Sequence, residues 1–108
     1  MIDAQFYRAK ESQNLLGFVI SGHAGSAEEG LDIVCASVSS AVMLSANAVT
    51  EVFSIDANVK EEENGDIYLK LRDDTDGTGD KLLLALVTHL YMLSKEFPQT
   101  IKVAVIDR

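Results

Sequence analysis

Two short segments near the start of the chain alternate apolar and polar residues, the pattern of half-buried β-strands. Their apolar positions are Ile2, Ala4, Phe6, Leu16, Phe18 and Ile20. Polar residues at positions 10–14 separate the two segments, which predicts a β-hairpin. The second strand is expected to end at Ser21-Gly22-His23.

A long helical pattern follows, in which apolar or small residues return every three or four positions. They are Val34, Val38, Ala41, Val42, Ser45, Ala48, Val49, Val52 and Phe53. Asp32 is expected to be the N-cap, which makes Cys35 the third residue of the helix. At ~100° per residue, Cys35 lies about 75–80° from the centre of this stripe, so we expect it on the flank, beside the core and able to face a cleft.

The second half of the chain repeats the order of strands and helix. Ile55, Ala57 and Val59 alternate with polar residues, as do Ile67, Leu69 and Leu71, and Asn64-Gly65 between them predicts a two-residue hairpin turn. Asp80 is expected to cap a second helix that Pro98 ends. The inner face of that helix is Leu83, Leu86, Val87, Leu90, Leu93 and Phe97. The apolar run from Ile101 to Ile106 is typical of a strand buried in the middle of a sheet.

The element order ββαββαβ predicts an α+β fold, a single mixed or antiparallel sheet with two helices packed on one face. The 108 residues form one domain, positions 1–108. The other sheet face carries fewer apolar groups, Tyr68 and Lys70 among them. This face is either solvated or buried in a dimer.

Composition indicates the compartment in which the protein acts and the charge of its partners. Apolar residues make up 47% of the chain, enough to fill one core, and the single cysteine cannot form an internal disulfide. The N-terminal residues lack the features of a signal peptide, and no stretch reads as a membrane span, so we expect a cytoplasmic protein with a reduced thiol and no membrane contact. The net charge of −8 disfavours direct binding of nucleic acid. It suits a basic partner or serves solubility alone.

The best candidate for chemistry is Cys35, which lies near a helix N-terminus where the macrodipole favours a thiolate. His23, at the end of the second predicted strand, is placed to act as its base. The charge of Asp32 opposes the thiolate, and Ser39, one turn after Cys35, is placed to donate a hydrogen bond. The plainer interpretations are a cysteine packed in the core, an ordinary loop histidine and a tolerated small serine.

Three other kinds of site are disfavoured by the residues: a phosphate-binding loop, a histidine–cysteine metal site and a calcium loop. Gly22, Gly25 and Gly30 suit close backbone approach or simple turns, but they match no phosphate-binding loop. One cysteine and two distant histidines, His23 and His89, make a poor metal ligand set, and His89 is expected at the edge of the second helix's apolar face. The aspartates from position 73 to 80 lack the glutamate of a calcium loop and are interpreted as a solvated turn. We therefore expect no metal and no cofactor.

The motif around the candidate pair resembles a known family. Gly22-His23-Ala24, an acidic loop that contains glycine, Gly30, and Asp32-Ile33-Val34-Cys35-Ala36-Ser37-Val38-Ser39 together resemble the ribosomal-processing cysteine protease family, Prp. The chain length, the element order and the Asn47-Ala48 region agree. The segment from the histidine to the cysteine is the specific part of the resemblance.

The resemblance implies an endopeptidase that removes a short N-terminal extension from a large-subunit ribosomal protein. Cys35 would be the nucleophile and His23 the base, with Asp32 and Ser39 shaping the site. A mobile substrate-binding loop would connect the pair, from Ala24 to Leu31. The site residues placed with it are Gly22, Gly25, Glu28, Glu29 and Gly30. Family members are homodimers, so a homodimer is expected.

Two other functions remain open on the residues alone. A packed, inert Cys35 would fit a ribosome-assembly or protein-binding module with no catalytic activity. An exposed thiol without peptidase activity would fit a redox sensor that forms sulfenic acid.

Overall fold

The computed structural model describes residues 1–22 and 31–108. Within them, five strands and two helices follow in the predicted order, and the strands form one sheet in the order β3-β4-β2-β1-β5. The bounds are β1 Ile2–Arg8, β2 Leu15–Ser21, α1 Leu31–Asn47, β3 Asp56–Glu61, β4 Ile67–Asp73, α2 Thr78–Glu96 and β5 Ile101–Asp107. The sheet is mixed, because β5 runs parallel to β1 and every other neighbouring pair is antiparallel. The predicted fold class is confirmed.

Strands β1 and β2 form the predicted hairpin, with Phe6 opposite Phe18 and Ala4 opposite Ile20. The register shifts near the turn, where Tyr7 pairs with Gly17 but Arg8 pairs with Leu15. The extra residue is Leu16, and the bulge turns Leu15 into the core while Leu16 stays half-buried.

The two faces of the sheet differ sharply in composition. The helix face is covered by α1 and α2, and its centre is the pair of rings of Phe6 and Phe18, 5.5 Å apart. The side away from the helices is called the open face here. The strand residues that register places on it are Asp3, Gln5, Tyr7, Gly17, Val19, Ser21, Asn58, Lys60, Tyr68, Lys70, Arg72, Lys102, Ala104 and Ile106.

Helix α1 packs Val34, Val38 and Val42 into the core, as its periodicity predicts. It starts at Leu31, so Asp32 lies inside the first turn and is not the N-cap; its Oδ1 accepts the N–H of Ile33 at 3.1 Å. A π-helical turn, Ala48–Val52, extends the helix. This wider turn rotates the last predicted core residues outward, and Val52 and Phe53 are 72% and 52% exposed.

The turn between β3 and β4 has three residues instead of the two predicted. Glu62 donates its N–H to the carbonyl of Asp66 at 2.8 Å, and Gly65 donates to the carbonyl of Glu62 at 2.9 Å. Gly65 alone of the Asn64-Gly65 pair has a positive φ, 91°. The hairpin was therefore predicted correctly, but its turn is a type I turn followed by a left-handed glycine.

Helix α2 begins at Thr78, two residues before the predicted cap. The carboxylate of Asp74 accepts the N–H groups of Gly79 and Asp80, at 2.7 and 2.9 Å, and satisfies the free donors of the first turn. Asp80 is instead buried, and its Oδ1 accepts the N–H of Leu15 at 2.7 Å. Asp80 thus ties α2 to the start of β2, which corrects its predicted role as the N-cap.

Strand β5 lies at an edge of the sheet, not in its middle as its apolar run predicts. Ile101 is buried against the helices, while Val105 and Ile106 are exposed. The central strand is β2, which pairs with β1 on one side and with β4 on the other.

The segment Asp32–Val52 meets the length and composition of a membrane span, with a mean hydropathy of 1.6. This corrects the expectation that no stretch of the chain is apolar enough. The core helix of a folded domain meets the same criteria, and the valines of α1 pack here against the sheet.

Candidate active site

Cys35 lies in the second turn of α1, four residues after the helix begins. Its side chain is 8% exposed and belongs to the core cluster, between the buried residues Val34 and Val38. The sequence places the thiol on the flank of the core, and the structure places it just inside the core's boundary.

The surroundings of Cys35 favour the neutral thiol. Burial raises the pKa of the Cys35 thiol, and the Asp32 carboxylate raises it further, while the positive charge of the Met1 amino group acts in the opposite direction. The expected stabilisation of a thiolate by the helix N-terminus is therefore not the dominant influence on this cysteine. A base must remove its proton when the sulfur reacts.

Gly22 directly follows β2 and has a φ of +79°. A Cβ built on it would lie 2.7 Å from the carbonyl oxygen of Met1. Glycine is required at position 22 because the backbone turns in a left-handed conformation against Met1.

His23 and the other predicted loop residues, Gly25, Glu28, Glu29 and Gly30, lie outside the described residues. The pairing of His23 with Cys35 therefore stays a prediction. Gly22 is the described residue that comes directly before them.

The two residues predicted to shape the site both lie on α1. Asp32 is exposed, one helical turn before Cys35, and is the second cause of the raised thiol pKa. Ser39 is half-buried, one turn after Cys35. The structure therefore places Asp32, Cys35 and Ser39 along one side of the helix, at the i, i+3 and i+7 positions.

A groove between α1 and α2, which the sequence analysis did not predict, has a volume of about 610 Å³. Small side chains of α1 line one wall, and His89 lies on the wall from α2. His89 is exposed there, in agreement with its predicted place at the edge of the apolar face of α2. The alanines and serines at positions 36, 37, 40, 41 and 45 are the sequence feature that could have predicted the groove.

Within residues 1–22 and 31–108, no three His, Cys, Asp or Glu side chains lie close enough together to hold a metal ion. The aspartates that precede α2 serve the backbone instead. Asp74 caps the helix, and Asp76 accepts the N–H of Thr78 at 3.0 Å, which lowers the pKa of the Asp76 carboxyl.

Solved structures share this fold over nearly the whole chain. The SMU.848 protein of Streptococcus mutans is 25% identical, with a TM-score of 0.86 over 100% of this chain and 99% of that chain. The ribosomal processing protease Prp of S. aureus, in complex with a substrate peptide, is 21% identical, with a TM-score of 0.88 over 97% of this chain and 99% of that one. The same S. aureus protease with a covalently linked product peptide is 23% identical, with a TM-score of 0.84 and the same coverage, 97% and 99%.

A family model described as cysteine protease Prp matches residues 1–102. No curated protein matches the chain. The family match favours a protease over the two alternatives left open by the residues, a binding module and a redox sensor. With the only cysteine of the chain at the start of α1 and the fold shared from end to end, this chain belongs to the cysteine protease Prp family.

Proposed function

We propose that this cysteine protease removes the short N-terminal extension of a large-subunit ribosomal protein. Cys35 is the nucleophile, and His23 is the general base and then the general acid. The position of Cys35 at the start of α1 carries the proposal, in a chain that matches the cysteine protease Prp family over residues 1–102. The structures of the S. aureus protease with a substrate peptide and with a covalently linked product peptide support a peptide substrate.

The raised pKa of Cys35 determines the first step of the mechanism. His23 takes the proton from Sγ as the sulfur bonds to the scissile carbonyl carbon, so the thiol is activated at the moment of attack. The carbonyl oxygen becomes an oxyanion. Backbone N–H groups at the start of α1 stabilise it, and each such donor is typically worth ~3–4 kcal/mol.

The second half of the reaction returns the enzyme to its starting state. The intermediate collapses, the C–N bond breaks, and His23 gives its proton to the leaving amine. A thioester now joins the peptide carbonyl to Cys35. Water adds to this carbonyl while His23 takes a proton from the water, and the acid product leaves as the proton returns to the sulfur.

The charge of the protein suits a lysine-rich substrate. The net charge is −8, and the carboxylates of Glu28, Glu29 and Asp32 lie in the sequence between the two proposed catalytic residues. Opposite charge on a ribosomal-protein tail would speed its encounter with this side of the molecule. A reduced thiol is required throughout, so a cytoplasmic location is part of the proposal.

The catalytic assignment is tested with the ribosomal protein that carries its extension. Cys35→Ala should abolish cleavage, because the nucleophile is removed. His23→Ala should lower kcat by about 100-fold or more, because general base catalysis is lost. Mass spectrometry of the substrate before and after incubation measures both effects.

His89→Ala is the matched control, because His89 is the only other histidine of the chain and is exposed on α2. It should cleave at the wild-type rate. Wild-type cleavage by Cys35→Ala or by His23→Ala would contradict the assignment. Equal loss in His23→Ala and His89→Ala would show that the effect of His23 is not specific.

We also propose that the protein is a homodimer through the outer side of α1. Ile33, Met43, Leu44 and Val52 are exposed there, and Leu44 is 72% exposed. Between Asp32 and Glu51 this helix has no charged residue, so two copies can approach without charge repulsion. The open face is less suited to pairing with itself, because its lysines would face those of the second copy.

Light scattering after size-exclusion chromatography tests the dimer. The wild type should have twice the 11.7 kDa mass of one chain. Leu44→Glu should be monomeric, while Val59→Glu, an equivalent change at the exposed edge strand β3, should remain dimeric. A monomeric wild type, or a dimeric Leu44→Glu variant, would refute this interface.

A further inference from the structure

The open face concentrates positive charge on an acidic protein. The chain has nine lysines and arginines against 17 aspartates and glutamates. Five of those nine lie on the open face or at its end, namely Lys60, Lys70, Arg72, Lys102 and Arg108. The acidic side chains on this face or paired with its cations are Asp3, Asp56 and Glu62, so the local charge of this side is positive although the net charge of the chain is −8.

Several of these cations are available to a partner. Glu62 pairs with Lys60 at 3.1 Å, and Asp56 approaches Arg72 at 3.9 Å. Among the described residues, Lys70 and Lys102 have no ion-pair partner. The guanidinium of Arg108 lies over the ring of Tyr7, 3.9 Å from the ring centre. The ring is uncharged, so the positive charge of Arg108 is not neutralised there.

A groove of about 710 Å³ runs across the open face between these cations. Its floor is Gly17 on the central strand, where a Cβ would lie 2.2 Å from the carbonyl oxygen of Leu69. Flat groups flank this hollow on the two neighbouring strands. One is the ring of Tyr68, 37% exposed on β4, and the other is the stacked pair of Tyr7 and Arg108 on the β1 side. Tyr68 is opposite Val19 and Tyr7 is opposite Gly17, so the two tyrosines are two strand spacings and two residues apart, roughly 12 Å on the sheet.

We propose that the open face binds single-stranded RNA. Bases stack on Tyr68 and on the Arg108–Tyr7 pair. Phosphates lie against Lys70 and against Lys60, whose exposed ion pair with Glu62 is weak enough to be exchanged for phosphate. Planar rings on a sheet surface, flanked by lysine and arginine, recognise unpaired bases in this way. The amide of Asn58, which lines the same groove, is positioned to bond a 2′-hydroxyl. An acidic polypeptide would use the cations but has no need for the flat groups.

The RNA site and the protease site lie on opposite sides of the sheet. Cys35 is packed against the helix face, and Lys70 and Tyr68 project from the open face. The two activities are therefore separable, and the Cys35→Ala variant should bind RNA as the wild type does. The proposal does not depend on which peptide the protease cleaves.

Fluorescence anisotropy with a labelled oligouridylate of about 12 nucleotides tests the proposal. Binding should be saturable at about 50 mM salt, and log Kd should rise with log salt with a slope of about 1.4, as for two phosphate contacts on a single strand. Lys70→Glu and Tyr68→Ser should each weaken binding at least about fivefold. Lys95→Glu makes the same charge change on α2, behind the sheet, and should shift Kd less than about twofold.

Several results would overturn the proposal. The first is the absence of binding at low salt, and the second is an equal loss in Lys70→Glu and Lys95→Glu. Displacement by polyglutamate, together with wild-type RNA binding by Tyr68→Ser, would identify an acidic polypeptide as the occupant. Equal affinity for the matching oligodeoxynucleotide would exclude RNA as the specific ligand. Circular dichroism confirms that each variant is folded, and Lys70→Glu alters only an exposed side chain.

Discussion

The carboxylate of Asp32 and the thiol of Cys35 are three residues apart on α1, and the negative charge of Asp32 opposes ionisation of the thiol. Asp32 raises the pKa of Cys35, so Asp32→Asn should lower that pKa and increase the thiolate fraction near neutral pH. The rate of alkylation by iodoacetamide, measured as a function of pH, should move to lower pH. This direction follows because removing a negative charge favours the ionised sulfur.

Glu51→Gln is the matched control for this experiment. It removes the same charge near the other end of the helical segment, and its alkylation profile should coincide with that of the wild type. An unchanged profile for Asp32→Asn would show that burial alone keeps Cys35 protonated. Lower peptidase activity with a more reactive thiol would mean that Asp32 also positions the substrate.

At the scale of single residues, the sequence could identify the reacting atom but not its surroundings. Cys35 stands out because it is the only cysteine and lies near a helix start. Its inclusion in the core could not be read from spacing, because the buried stripe of α1 is wide enough to take in both Val34 and Cys35. His23 was equally easy to single out, and its pairing stays a prediction.

Among the elements, the pairing of β2 with β4 depends on the absence of a side chain at Gly17. A Cβ there would lie 2.2 Å from the carbonyl oxygen of Leu69, which is backbone and cannot move without breaking the sheet. Gly17→Ala should therefore lower the free energy of unfolding by about 3 kcal/mol. Urea denaturation followed by circular dichroism measures the change.

Gly77→Ala is the control that separates steric crowding of the new Cβ from the cost of a left-handed backbone. Gly77 has a φ of +79°, but a Cβ there would have no neighbour within 4 Å. Its replacement should cost about 1–2 kcal/mol through the left-handed backbone alone. A cost for Gly17→Ala no larger than that for Gly77→Ala would show that the strands adjust to the added methyl group.

The elements that depend on the local sequence pattern could be predicted. Features that depend on distant parts of the chain were predicted less well. Alternation identified β1, β2 and β4 correctly, and Leu83, Leu86 and Leu90 are buried on α2 as predicted. The π-helical turn changes the period at Ala48, so the pattern failed for Val52 and Phe53. The edge position of β5 depends on which strand it pairs with, and an apolar run does not specify its partner.

For the whole molecule, the separation of charge predicts how salt affects the protease. If a lysine-rich substrate is attracted to the acidic side, kcat/KM should fall as ionic strength rises, because screening shortens the reach of the charges. A peptide of the same length with its lysines replaced by glutamine should show little dependence on salt. Initial rates over a series of salt concentrations measure both, and equal behaviour of the two peptides would argue against steering.

The net charge of a chain does not say where on the surface its charged residues lie. The value of −8 was available from the sequence, but its division between the two sides of the sheet depended on strand register. Lys60 and Lys70 lie on the β3–β4 hairpin and Lys102 lies on β5, and strand pairing places all three on one face of the sheet. The expectation that the protein avoids nucleic acid was therefore argued from a quantity that the open face does not share.

The parallel pairing of β1 with β5 has a consequence for biosynthesis. Ile2 lies opposite Ile101, so the outer edge of β1 is covered only after β5 has been synthesised. Until β5 has left the ribosome, the nascent chain exposes that edge to other chains or to chaperones. A ribosome stalled before residue 101 would therefore hold a chain whose sheet lacks its fifth strand.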